Sequence, residues 1–182
     1  MQNKPHKVII VGATSGIGRK MAELYAEKGY RIGITGRRKE LLDEMQNNYS
    51  SQIQTECFDV TENENVLHLE SLVKKLDGLD TLVISSGIGE TSKELRWDID
   101  RITVITNVNG FIEIANWAFN FFINQDHGQL VTISSVAANR GNSRAPAYAA
   151  SKAFQSNYFE GLAIKAGKLK KNDNQGNRRR YY

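Results

Sequence analysis

Short apolar runs of strand length alternate along the chain with longer stretches in which apolar residues recur at helical spacing. That alternation predicts a parallel sheet with helical crossovers. Lys7–Val11 reads as the first strand, followed by a glycine-rich turn and a helix that runs to about Lys28 and closes at Gly29. Arg31–Thr35 is the second strand, Arg38–Asn48 its crossover helix and Gln52–Phe58 the third strand. Thr61 and Glu64 have the spacing of a capping box and open a helix to about Leu76. Asp80–Ser85 is the fourth strand, with the apolar centre expected of a strand covered on both faces.

The segment from Asp98 to Asn124 reads as one long helix. Phe111, Ala115, Ala118 and Phe122 form one stripe, and Ile114, Trp117 and Phe121 lie about a quarter turn away. An arc that wide has two explanations: the helix also packs on a second subunit, as a homodimer or homotetramer would use it together with the helix that follows, or it is more buried than usual. Gln129–Ser134 is the fifth strand and Ala147–Gly167 the last helix, after which the pattern stops. The expectation is an α/β, Rossmann-type, doubly wound parallel sheet in three layers with about five strands. It fills residues 1–167 as one domain, and residues 168–182 follow as a basic, polar, disordered tail.

Composition changes this picture little. The 182 residues suffice for one buried core, and no apolar run is long enough to span a bilayer. The polar N-terminus and the short run Val8–Val11 do not make a signal peptide. One cysteine, Cys57, permits no internal disulfide and fits a reducing, cytoplasmic setting; it reads as a small buried apolar residue. The net charge of +4 is a property of the tail, because residues 165–182 carry seven basic residues and one acid. A nucleic-acid role through Arg178–Arg180 and the two terminal tyrosines is the lesser explanation of that charge; a solvated end is the plainer one. No metal site is expected.

Two constellations carry chemistry. The turn Val11-Gly12-Ala13-Thr14-Ser15-Gly16-Ile17-Gly18 lies between a predicted strand and a predicted helix. Glycines there let backbone N–H groups approach a pyrophosphate, and the helix N-terminus favours its charge. At the end of the second strand, where an acid would select NAD, the chain has Thr35-Gly36-Arg37-Arg38. Two guanidinium groups suit the 2′-phosphate of NADP(H) instead, although they also fit as surface arginines opening a helix. Tyr148 and Lys152 are four apart at a helix start, so they share a face, and an ammonium there favours the phenolate form that acid–base work needs. Ser135 ends the fifth strand, where its hydroxyl could steady a developing alkoxide.

Together these segments resemble the short-chain dehydrogenase/reductase family across residues 7–167. The likeness rests on Gly12–Gly18, Asp59-Val60, Ser85-Ser86-Gly87, Asn107-Val108-Asn109-Gly110, Ile133-Ser134-Ser135 and Tyr148-Ala149-Ala150-Ser151-Lys152, in family order and spacing. The resemblance implies that Tyr148 exchanges a proton with the substrate oxygen. Lys152 would hold the nicotinamide ribose, Ser135 the carbonyl, and Asn107 a relay water. Gly12, Ser15, Gly16, Ile17 and Gly18 would form the diphosphate turn, Asp59 and Val60 the adenine side, and Ser86 and Gly87 the middle of the cofactor site. Asn107 bonding only its neighbours, and Asp59 capping the loop before Thr61, are the structural alternatives. Trp97 and Trp117 read as packing anchors.

The chain departs from the family at Val11, at Ser85-Ser86, and after Gly167, where no sixth strand or Pro-Gly turn can be drawn. The last of these suggests a truncated or frameshifted product with weakened or absent turnover. Two functions therefore stand: an NADP(H)-dependent oxidoreductase acting on a small carbonyl or alcohol substrate, and a non-catalytic cofactor-binding Rossmann fragment that associates with a partner chain. Neither involves a membrane or nucleic acid.

Overall fold

The computed structural model describes residues 5–91 and 93–174. Among them, β1 (Lys7–Val11), β2 (Arg31–Gly36), β3 (Ile53–Cys57), β4 (Thr81–Ile84) and β5 (Gln129–Thr132) form one parallel sheet in the order β3-β2-β1-β4-β5. Helices α1 (Gly16–Glu27), α2 (Lys39–Asn48), α3 (Asn65–Leu76), α4 (Trp97–Val104), α5 (Phe111–Gln125) and α6 (Pro146–Asn174) flank it. The Rossmann-type doubly wound sheet expected from the alternation is present, with its five strands in the expected places.

Alternate residues of each strand point to opposite faces, and the core divides accordingly. Val8, Ile10, Ile32 and Ile34 pack on Ala22, Ala26, Leu42 and Met45 of α1 and α2. Ile9, Val11, Leu82 and Ile84 pack on Leu69, Leu72 and Leu76 of α3 and on Phe111, Ile114, Ala115, Ala118 and Phe122 of α5. Trp117 and Phe121 lie half-buried against that second cluster, joined by Tyr158, Phe159 and Leu162 of α6. The chain thus leaves β1 and β2 toward one face and β3, β4 and β5 toward the other.

Several expectations give way to the structure. The long helix is interrupted by a π-helical segment, Ile105–Gly110, between α4 and α5. A π turn carries one more residue than an α turn, so the faces of α4 and α5 do not follow one 100° progression. The capping box at Thr61 and Glu64 does not form: α3 starts at Asn65, and Glu64 is left-handed with φ 77° and makes no side-chain cap. Asp59 holds the loop instead, its Oδ1 accepting from the Thr61 N–H at 3.0 Å. Helix α6 reaches Asn174 rather than closing at Gly167. A single glycine costs a helix only about 1 kcal/mol and no proline follows, so nothing stops it there. The segment 168–174 is therefore helix and not a disordered tail; the rest of the predicted tail lies outside the described residues. Cys57, at the end of β3, is exposed and not buried. Trp97, in the first turn of α4, is 78% exposed and anchors nothing. No described helix is long and apolar enough to cross a membrane.

Asn65 ties α3 to α5. It is buried, and its Nδ2 donates to the carbonyl oxygens of Val60 and Glu62 at 3.2 and 3.1 Å and to Glu113 Oε2 at 2.7 Å. Removing that donor leaves three acceptors short, one of them a carboxylate. Asn65→Ala is expected to cost about 1–3 kcal/mol, read as a lower urea midpoint with an unchanged slope. A midpoint equal to that of the parent chain would show that water replaces the amide without cost.

Candidate active site

A cavity of about 610 Å³ opens at the C-terminal ends of the strands, where the chain turns to opposite faces after β1 and β4. Its floor is the β1–α1 turn. Gly12 has φ +86°, and a Cβ there would stand 2.6 Å from Ser86 Cα, so only glycine lets the turn lie against the segment after β4. Gly18 packs on the Gly12 carbonyl and does not itself line the cavity. Ser15 precedes α1 without capping it, and the first turn of α1 carries no acid. The positive end of this helix is therefore left for an anion.

The arginines after β2 stand beside that turn. Arg38 Nη2 donates to Thr14 Oγ1 and to Ser15 Oγ, both at 2.7 Å, and Nε reaches Thr14 Oγ1 at 3.2 Å. Because each hydroxyl accepts from the guanidinium, its own proton is free to donate outward. Arg37 Nη1 meets Asp59 Oδ2 at 3.5 Å across the mouth. Burial pushes the Asp59 carboxyl up, but the Thr61 backbone and side chain and the Arg37 guanidinium together hold it below the usual carboxylate range. Asp59 is therefore a loop cap that also lines the cavity wall.

At the other end, α6 brings Tyr148 and Lys152 to the same wall. The Tyr148 ring packs against Gly89, where any side chain would collide with it. Lys152 is 6% exposed, and burial pushes its ammonium below the ordinary lysine range. Nζ donates to the Ile133 carbonyl oxygen and to Gln155 Oε1, both at 2.9 Å. Asn107 sits in the π segment, wholly buried behind the wall. Its Oδ1 accepts from the Ile88 N–H at 2.9 Å, and its Nδ2 donates to the Ile88 carbonyl oxygen at 2.7 Å and to Ser151 Oγ at 3.0 Å.

Of the residues singled out in the sequence, Gly12, Ser15, Gly16, Ile17, Arg37, Arg38, Asp59, Val60, Ser86, Gly87, Tyr148 and Lys152 line this one cavity. Asn107 stands behind it. Ser135 is not part of the lining: it precedes the 3₁₀ turn Val136–Asn139, and its Oγ accepts from the Ala137 N–H at 3.2 Å. The neighbouring Ser134 takes the place on the wall. Thr14 and Ser151 stood within the quoted motifs without a role of their own, and Gly89 and Gln155 were passed over. The signal for Gln155 was available: a polar side chain three residues after Lys152 falls on the same helical face.

The comparisons agree with this fold. A family model described as short chain dehydrogenase matches residues 6–170. An uncharacterized oxidoreductase of Myxococcus xanthus is 32% identical over 162 residues, covering 86% of this chain and 64% of its own length. This chain thus spans less than two thirds of that relative. Carbonyl reductase family member 4 of Xenopus laevis is 27% identical over 161 residues, 87% of this chain and 68% of its own. The solved structure of ElxO with NADP bound superposes with a TM-score of 0.82 at 24% identity, over 91% of this chain and 69% of that one.

The Asp59 carboxyl supplies a check on the cavity mouth. Its folded value lies below its unfolded one, so its contribution to stability is complete above the unfolded carboxylate range and is lost as pH falls through the lowered value. Asp59→Asn is expected to be less stable than the parent at neutral pH, with the gap in urea midpoint closing as the pH falls below the ordinary carboxylate range. A gap that persists in acid would assign the effect to packing and not to charge.

Proposed function

The chain belongs to the short-chain dehydrogenase family, and from that premise we propose that it binds NADP(H) and interconverts a small carbonyl compound and its alcohol. The observation that carries this proposal is the placement of Tyr148 and Lys152 on one wall of a cavity whose opposite end holds Arg38 on the glycine turn. The chain's residues fit the dinucleotide: an uncapped helix start for the diphosphate, two guanidinium groups for a 2′-phosphate, and a buried ammonium for a ribose hydroxyl. When bound, the nicotinamide supplies or accepts the hydride.

The protein's own part is to place and move a proton. Tyr148 Oη gives its proton to the substrate oxygen in reduction and takes it back in oxidation. Lys152, anchored by two neutral oxygens, keeps one N–H for the cavity. Ser135 accepts from its own turn, which leaves its hydroxyl proton free to donate to a carbonyl brought up to it. Val60, Ser86 and Gly87 line the stretch between the two charged ends, and Asn107 stiffens Ile88 from behind. A second proposal, cofactor binding without turnover, draws on the position of Ser135 outside the cavity lining.

Arg38→Ala is expected to weaken NADPH about 10- to 100-fold, the worth of one or two charge-assisted hydrogen bonds, and to leave NADH affinity nearly unchanged. Fluorescence titration with both cofactors reads this, and equal losses for the two would reject the phosphate role. Tyr148→Phe is expected to cut carbonyl reduction by about 10²- to 10⁴-fold while NADPH still binds. If the parent chain binds NADPH and reduces no carbonyl compound, the second proposal holds. If it binds neither cofactor, both fail.

A further inference from the structure

The Lys152 ammonium is enclosed on nearly every side, yet it makes no ion pair among the described residues. Two uncharged oxygens hold it, the Ile133 carbonyl and Gln155 Oε1. Gln155 is 1% exposed, and its Nε2 donates to the Asn107 carbonyl oxygen at 2.8 Å. Asn107 is in turn fastened to both backbone groups of Ile88. One unbroken series of bonds therefore runs from the end of β5, through the ammonium and the Gln155 amide, into the π segment and on to the segment after β4.

A buried primary amide must satisfy both its oxygen and its nitrogen, and here an ammonium and a main-chain oxygen do so. We infer that Gln155 is a positioning residue, which aims the Lys152 ammonium at the cavity and helps keep it charged without reaching the cavity itself. Two of the three Nζ protons are committed to Ile133 and Gln155, and the third is left for a ligand. The amide accepts at oxygen and donates at nitrogen but does not pass a proton from one to the other. The series is thus a clamp and not a wire. The inference about the charge stands on geometry alone; its consequence for hydride transfer rests on the function proposed above.

The groups that face Lys152 limit what else could set its ionisation. Tyr148 is the titratable neighbour on α6. The ends of β4 and β5 and the π segment present neutral lining groups, and the charged lining residues Arg37, Arg38 and Asp59 stand across the cavity. Replacing Gln155 therefore tests its role directly.

The test is a titration of the whole chain labelled with ¹⁵N at lysine Nζ, followed by NMR, with Lys152→Arg used to assign the signal. Gln155→Met keeps the volume and removes the acceptor, so the Lys152 midpoint should fall by about one pH unit. Gln155→Glu adds a carboxylate at the same reach and should raise it. A purely structural role would not move the midpoint in opposite directions. Midpoints that stay put, or that move the same way in both variants, overturn the inference. Should Gln155→Met fail to fold, the direction seen with Gln155→Glu decides. Where the parent chain turns over NADPH, the alkaline limb of kcat/KM should follow the same order. Failure to bind NADPH would sink the oxidoreductase proposal and leave the NMR result to judge Gln155 by itself.

Discussion

The reversal of winding between β1 and β4 governs everything above the sheet. These strands are hydrogen-bonded neighbours in parallel register from Val8 opposite Thr81 to Val11 opposite Ile84, so their ends come out level. The chain then departs to opposite faces, because α1 and α2 cover one side and α3, α5 and α6 the other. Crossovers of fixed hand leave a crevice where such paths part, and open α/β sheets bind ligands there. The register also sets how deeply the Gly12 turn sits against Ser86. A slip of one residue would exchange the two apolar faces of β1 between the clusters and move the Gly12 turn along Ser86.

Two cationic positions bound that crevice, and they are built by different means. Arg38 is a surface charge held by two hydroxyls that can both still donate, a set of donors whose chemistry suits an oxyanion. Lys152 is a buried charge held only by dipoles, and its ionisation is correspondingly sensitive to each of them. Asp59 is the acid on the cavity wall and is partly neutralised by Arg37. The cavity thus presents a guanidinium with two hydroxyls at one end and a buried ammonium at the other.

The strands and the Tyr148–Lys152 pair were legible in the sequence because both follow from simple periods: alternation for the sheet, and a spacing of four for one helical face. The glycine turn was legible because it stood between two such elements. What escaped notice depends on long-range competition. The Thr61–Glu64 box has the correct spacing, but Asp59 and Asn65 claim the same loop first. Cys57 lies on an outer strand of the sheet, where one face need not be covered, and Trp97 begins a helix whose first turn is open to solvent. The place of Ser135 was set by the strand end and by family spacing, which fix its position along the chain but not the direction of its hydroxyl.

The π segment Ile105–Gly110 was invisible to any periodic reading, since an extra residue in one turn leaves composition and hydropathy unaltered. It joins two helices that are out of phase, and this phase offset is what allows Asn107 to reach Ile88 while Phe111 and Ile114 enter the core. The segment behaves as a mechanical gear with a counted number of teeth. Swapping side chains within it would leave the count intact, whereas inserting or deleting one residue would rotate all of α5 by roughly 100° against the sheet. Natural or engineered variation in this stretch should therefore run to changes of residue and not to changes of length.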